Sequence, residues 1–285
     1  MKRRYRAVTI IGVGLLGGSL GLALKARGLA GVVRGVGRRR VSLETALAVG
    51  AVDEVSLDAV EASRGAALVV VCTPAAQVSG VLDAILPVCL PDAAVTDVAS
   101  TKALICAHAR ASWPRPLRFV GSHPMAGSDK FGPEHARADF YEDSVAIVTP
   151  DPAAAPDAVA AVRELWESVG AHVAEVDAGR HDAFLARTSH VPHVAAACLA
   201  RLVNACDNLR PFIGQGYRDM TRIAASRPEI WRDTCLTNRD AILDGIDALS
   251  AMLDDVRDAV GAADAERIET FFRDGQRARK EAVGE

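Results

Sequence analysis

The sequence predicts an α/β protein: a doubly wound parallel sheet in the first part of the chain and an all-helical domain after it. Three observations carry this. Val8-Thr9-Ile10-Ile11 is a run of β-branched residues that enters Gly12-Val13-Gly14-Leu15-Leu16-Gly17 and then an apolar helix through Leu24. Residues 66–72 form a continuous apolar run, as expected of a strand buried on both faces of a parallel sheet. From about Gly179 the pattern becomes helical throughout. Strands alternating with helices, followed by helices alone, give two domains, placed at 1–178 and 179–285.

The opening turn reads as a G-x-G-x-x-G dinucleotide-binding loop of the Rossmann type. Gly12 allows the tight turn, Gly14 lets backbone approach a pyrophosphate, and Gly17 lets helix and strand pack closely. The helix begins at Leu15 and Leu16, whose free N–H groups would face the phosphates. A basic start before an apolar run also suits a secretory leader, but five glycines in the run and no A-x-A site argue against one.

Residues 31–36 read as the second strand. A Rossmann protein that prefers NAD carries Asp or Glu about 20 residues past the glycine loop, on the ribose 2′-hydroxyl. Here that position is Gly37, followed by Arg38, Arg39 and Arg40. No carboxylate would repel a 2′-phosphate, and guanidinium groups suit phosphate geometry. The expectation is NADP, with NAD left open; the bland alternative is a solvated basic turn.

A helix follows with Leu43, Ala46, Leu47 and Val49 spaced for one face, and then the buried strand at 66–72. It ends in Thr73-Pro74-Ala75, at the carboxyl end of a strand, where open α/β sheets bind ligands. Residues 94–98 are a further strand, and Ser100-Thr101-Lys102 opens the helix after it. Ser100 reads equally well as a helix N-cap. Residues 119–128 form a short strand running into a loop with His123 before Pro124, and Ser128 at its end. A histidine there suits proton transfer at neutral pH, or has a structural role only. Residues 144–149 and 172–176 look like closing strands around a helix at 156–169.

In the second half, His181-Asp182 precedes a long helix carrying Ser189-His190-Val191-Pro192-His193. His190 and His193 are three apart and can share a face. H-x-x-H without a third ligand at useful spacing gives no metal site. Ser226-Arg227-Pro228-Glu229 reads as a capping box that starts another long helix. Along it Ile242, Ile246, Leu249, Leu253, Val256 and Val260 make a heptad-like seam, for a subunit contact or an internal core. Arg222, alone, reads as a surface charge.

Composition excludes several classes. Half the residues are hydrophobic and 24% are charged, as in an ordinary globular protein. The net charge of −3 leaves no basic footprint for nucleic acid. No apolar run reaches the length of a membrane helix. Cys72, Cys89, Cys106, Cys198, Cys206 and Cys235 show no C-x-x-C or zinc spacing. They read as mostly small buried hydrophobes of a reduced, cytoplasmic protein.

Taken together, G-V-G-L-L-G-G-S, D-V-A-S-T-K, G-S-H-P-M-A-G-S, S-H-V-P-H, R-D-M-T-R-I-A and E-I-W-R-D resemble one family, in its order, over residues 8–260. It is the family of prephenate and arogenate dehydrogenases of tyrosine biosynthesis. The resemblance implies a Rossmann domain joined to a helical domain that forms a homodimer. It also implies oxidative decarboxylation of a small cyclohexadienol, with hydride transfer to NADP or NAD. By the same resemblance His123 accepts the C4 hydroxyl proton, and Ser100 hydrogen-bonds that histidine and the hydroxyl. Arg222 would pair with a substrate carboxylate, with His190 or His193, Trp231 and Ser128 near the same pocket. Gly12, Gly14, Leu15, Leu16, Gly17, Arg38, Arg39, Thr73 and Pro74 would hold the cofactor.

Two rival readings predict different features. A β-hydroxyacid dehydrogenase depends on a lysine in its helical domain, and residues 180–260 contain none. A redox-sensing regulator without turnover has no use for His123, Ser100 and Arg222 together.

Overall fold

The computed structural model describes residues 4–128, 130–204 and 208–284, so Cys206 lies outside the described residues. A five-stranded parallel sheet forms first, from β1 (Tyr5–Ile11), β2 (Ala30–Val36), β3 (Glu54–Ser56), β4 (Leu68–Val71) and β5 (Ala94–Asp97). Its spatial order is β3-β2-β1-β4-β5. The chain winds outward one way from β1 and the other way from β4, so the switch point lies between these two strands. Ligand crevices form there, at the carboxyl ends.

Period-two alternation divides the core. Leu68 and Val70 of β4 pack into the cluster with Val8, Ile10 and α1 (Leu15–Ala26); Val69 and Val71 pack on the opposite face. That second face is covered by α4 (Ala75–Ile85) and α5 (Ala103–Ser112), through Val78, Leu82, Ile105 and Ala109. All four β4 residues are buried, as the unbroken apolar run requires.

Helix α1 lies so close to its neighbours that glycine is obligatory along it. A Cβ at Gly21 would stand 2.1 Å from the Ala51 carbonyl oxygen, a backbone atom with no rotamer to give. Gly21→Ala is therefore expected to lower stability by about 1–3 kcal/mol, read as an earlier denaturant midpoint at constant slope. An unchanged midpoint would contradict this packing.

Beyond β5 the sheet changes character. Strands β6 (Gly121–Pro124), β7 (Val145–Thr149) and β8 (His172–Glu175) form a second sheet, with β6 antiparallel to β7 and β7 parallel to β8. An isolated parallel bridge, Val95–Phe119, joins the β6 segment to the first sheet. Helix α6 (Pro156–Ser168) packs Val162, Leu165 and Trp166 into the first core cluster. His123 therefore sits within β6 rather than in a loop after it.

The helical part runs through α7 (Ala178–Leu185), a π-helical turn (Ala186–His190), α8 (Val191–Asn204), α9 (Gln215–Thr221) and α10 (Pro228–Thr237). Helices α11 (Arg239–Gly261) and α12 (Ala265–Val283) follow. Contacts divide the chain into two compact units, Met1–Arg239 and Asp240–Glu285. Helices α7–α10 thus belong to the same unit as the sheets.

Three local expectations are corrected. His181-Asp182 lies inside α7 instead of preceding a helix. The capping box at Ser226 does not form: Arg227 is the N-cap residue of α10, and the Ser226 hydroxyl donates to the Ile223 carbonyl oxygen instead. The single long helix expected after it is broken at Asn238, whose backbone leaves helical geometry and whose side chain turns inward. Among the cysteines, Cys106 is buried, Cys72, Cys89 and Cys235 are partly exposed, and Cys198 is exposed, so the expectation of mostly buried thiols fails.

Candidate active site

The glycine loop stands at the switch point. Gly12 has φ +106°, and a Cβ on it would come within 2.5 Å of the Cys72 carbonyl oxygen. At Gly17 a Cβ would meet the Gly12 carbonyl oxygen at 2.2 Å, whereas nothing lies within 4 Å of the position at Gly14. The first and third glycines are thus demanded by packing, and the second leaves room for a ligand. Helix α1 starts at Leu15 with no side-chain cap and no acidic residue in its first turn, so its orphan N–H groups and positive dipole end suit an anion. Across the crevice, Thr73 follows β4, and its buried Oγ1 has no hydrogen-bond partner among the described residues. Pro74 is the N-cap residue of α4. These features fit the pyrophosphate of a dinucleotide.

Gly37 follows β2, and Arg38, Arg39 and Arg40 are exposed at the start of α2 (Arg40–Ala48), with Arg39 its N-cap residue. None of the three guanidinium groups has a hydrogen bond or ion pair among the described residues.

His123 is partly exposed in β6. Its Nδ1 lies 3.0 Å from His181 Nε2, and His181 Nδ1 lies 2.7 Å from Asp182 Oδ1. The Asp182 carboxylate also accepts the backbone N–H groups of Lys102 (2.7 Å) and Ala103 (2.8 Å), so it caps α5 from a distant helix. That corrects the reading of Ser100 as the N-cap. The Ser100 hydroxyl instead lies 3.4 Å from Thr234 Oγ1 and makes no hydrogen bond to His123 among the described residues.

A second carboxylate braces the same region. Asp97, fully buried, pairs with the fully buried Lys102 ammonium and accepts N–H groups from Ala99 (3.0 Å) and Ser122 (3.2 Å). Ser122 in turn accepts from Trp166 Nε1 (2.9 Å) and donates to the Asp97 carbonyl oxygen (2.6 Å). The turn carrying Ser100 and the strand carrying His123 are thus tied to one buried ion pair. Breaking such a pair from one side costs about 3–5 kcal/mol, so its rigidity is well anchored.

Close packing, the neighbouring His181 ring, the Lys102 ammonium and His190 together hold the His123 pKa well below the ordinary histidine value. The imidazole is neutral at neutral pH, the state a proton acceptor needs.

His190 and His193 lie together as their spacing suggested, and Trp231, which the resemblance placed near them, packs against both. The His193 ring stacks on Trp231 at 3.7 Å between centroids, and His190 meets the same indole edge-on at 6.1 Å. Asn238 donates both to the Asp182 carbonyl oxygen (2.8 Å) and to His190 Nδ1 (3.1 Å). His190 therefore carries its proton on Nε2. That Nε2 and Trp231 Nε1 are buried donors without partners among the described residues. Burial pushes the His190 pKa down to about 4, against an opposing pull from Asp182. His193 is lowered by burial and by the nearby Arg222 guanidinium, partly offset by its bond to the Ser189 carbonyl oxygen. Arg222 is exposed and opens the 3-10 turn after α9. Ser128 is exposed, accepts a hydrogen bond from the Lys130 amide, and is not among the residues drawn together here.

Sequence reasoning missed His181, Asp182 and Asn238. The signal for the first two was present, since adjacent His and Asp in a helix can form a relay, but only the fold brings them to His123.

Two family models match, described as the nucleotide-binding domain and the dimerization domain of prephenate dehydrogenase, over residues 20–175 and 177–274. The chain belongs to the prephenate dehydrogenase family. Within it, the chain is 33% identical to a prephenate dehydrogenase of Bacillus subtilis over 96% of its own length and 75% of the relative's. It is 31% identical to a cyclohexadienyl dehydrogenase of Zymomonas mobilis, covering 96% and 95%. The fold superposes on crystallised prephenate dehydrogenase of Aquifex aeolicus, in complex with hydroxyphenyl propionate and NAD+, with a TM-score of 0.92 at 27% identity, covering 99% and 100%. A Synechocystis arogenate dehydrogenase is similar at TM-score 0.83 and 25% identity, covering 97% and 99%. As in that family, the N-terminal part is an NAD(P)-binding Rossmann-like sheet, and the C-terminal part is helical.

Proposed function

We propose that this chain catalyses the NAD(P)-dependent oxidative decarboxylation of prephenate, arogenate or both, giving 4-hydroxyphenylpyruvate or tyrosine in L-tyrosine biosynthesis. The observation that carries the reading is His123, neutral, partly exposed and braced, in a chain with a dinucleotide-binding crevice. Residues 1–178 would bind the cofactor, and residues 179–285 would complete the substrate site and form a cytoplasmic homodimer. The exposed Met252, Leu253, Val260 and Phe272 on α11 and α12 support that dimer contact.

The bound nicotinamide supplies a hydride acceptor at ring C4. The remaining chemistry belongs to the chain. His123 takes the proton of the C4 hydroxyl as the hydride departs, and the ring carboxylate leaves as CO2 with its electrons closing the aromatic ring. His123 then returns its proton to the phenolic oxygen, so no net proton is released. Ser100 would sit by the same hydroxyl. Arg222 would pair with a substrate carboxylate. The N–H groups of His190 and Trp231, unpartnered among the described residues and beside His193, would receive oxygen acceptors of the substrate side chain; Ser128 would lie at the mouth. Gly12, Gly14, Leu15, Leu16 and Gly17 would cradle the pyrophosphate, with Thr73 and Pro74 opposite.

Initial rates with prephenate and with arogenate, each with NAD and with NADP, test the reading. Reduced cofactor and CO2 formed in equal amounts with either substrate support it; bound cofactor without turnover in every combination would refute it. We further propose NADP as the preferred cofactor, held at its 2′-phosphate by Arg38 and Arg39. Arg38→Ala is expected to raise KM for NADP about tenfold or more while leaving KM for NAD unchanged. Equal wild-type rates with both cofactors would contradict this preference.

A further inference from the structure

We infer that Asp182 acts through His181 to fix the tautomer of His123, which makes His181 and Asp182 positioning residues of the proton-accepting step. The inference rests on the reading of His123 as the base.

The tautomers follow from donors and acceptors alone. The Asp182 carboxylate can only accept, and already accepts from two backbone N–H groups. His181 Nδ1, 2.7 Å away, must therefore carry a proton. A neutral His181 then has its lone pair on Nε2, the atom facing His123 Nδ1 at 3.0 Å. For that contact to be a hydrogen bond, His123 Nδ1 must donate. The neutral His123 is thus left with its lone pair on Nε2, which has no hydrogen bond among the described residues. Had Asp182 been a donor, each proton would move to the opposite nitrogen, and His123 Nε2 would be blocked as a base. The arrangement extends the logic of the Ser-His-Asp triad by one ring.

The site enforces this order from several sides. His181 is fully buried, so water cannot replace either of its partners. Asp182 is held by the N-terminus of α5, and its own carbonyl oxygen by Asn238. The same carboxylate thus locks the turn after Ser100 and the ring behind His123. When His123 takes the proton, its new charge faces His181, with the Asp182 carboxylate one ring away. Burial and the Lys102 ammonium disfavour that charge.

The test pairs tautomer and rate. With 15N-labelled histidine in the whole protein, His123 Nε2 is expected to show the shift of an unprotonated nitrogen and Nδ1 that of a protonated one. His181→Gln, whose amide oxygen can accept from His123 Nδ1, should keep that pattern and stay within about tenfold of the wild-type kcat. His181→Leu should give a tautomer mixture and lower kcat about 100-fold, with KM and cofactor Kd unchanged. A proton found on wild-type His123 Nε2 would overturn the inference, as would equal kcat values in the Gln and Leu variants. The wild-type spectrum needs no variant to fold. If it shows the stated tautomer while neither prephenate nor arogenate turns over, the functional reading fails and the relay stands.

Discussion

His123→Asn is expected to lower kcat/KM by about 10²–10⁴-fold while the dissociation constant for the cofactor stays as in the wild type. Aromatisation of the ring supplies the driving force, so the protein contributes orientation and a base, and the base carries the largest chemical share. Asn keeps the size of the side chain and can still accept from a hydroxyl, but it cannot take up the proton. His123 lies on a strand that Asp97 and Ser122 brace, and the substitution leaves that brace in place. Paired measurements of kcat/KM and of cofactor binding by fluorescence titration decide the matter. A loss smaller than about tenfold would remove His123 from the chemistry.

Arg222→Gln is the second large effect. It is expected to raise KM for the substrate about 10–100-fold with a smaller change in kcat, because a carboxylate contact remote from the reacting carbon serves ground state and transition state alike. Its exposure argues for the lower part of the range usual for buried charge pairs. The guanidinium already depresses the pKa of His193, which places its charge beside the His193–Trp231 stack where the side-chain end of the substrate would lie. A KM unchanged in Arg222→Gln would place the substrate carboxylate elsewhere.

Much of the fold was legible in the sequence because its signals are local. Strand β4 announced itself as an unbroken apolar run, and the glycine loop as a strand-turn-helix whose first and third glycines stand where packing admits no Cβ. The antiparallel β6 was not legible: four residues ending in Pro124 carry no sign of direction, and their partner β7 lies more than twenty residues later. The break at Asn238 was hidden for a related reason. The apolar spacing continues smoothly into α11, and only tertiary bonds to Asp182 and His190 reward the interruption.

The site was partly legible in the same sense. His190 and His193 do gather, since three-residue spacing on a helix is a local rule, and Trp231 joins them from another helix as the resemblance implied, whereas the partner of His123 was not readable. Ser100 stood closer in the motif pattern, yet its hydroxyl meets Thr234, and the ring behind His123 comes from α7, 58 residues further on. The N-terminus of α5 makes the same point. Ser100 looks like its cap, but Asp182 does that work from across the fold. Sequence shows which residues can do chemistry; long-range hydrogen bonds decide which of them meet.

The central claim is that a partly exposed, neutral His123 is the base. The pH dependence of kcat/KM, measured for the wild type and for His123→Asn, tests it most directly. A group whose pKa is depressed stays neutral and active down to that lowered value, then loses activity as pH falls through it. The acid limb of the wild-type profile is therefore expected well below pH 6.5, and it should vanish in the variant. A limb at or above 6.5, or one that survives unchanged in His123→Asn, would contradict the account.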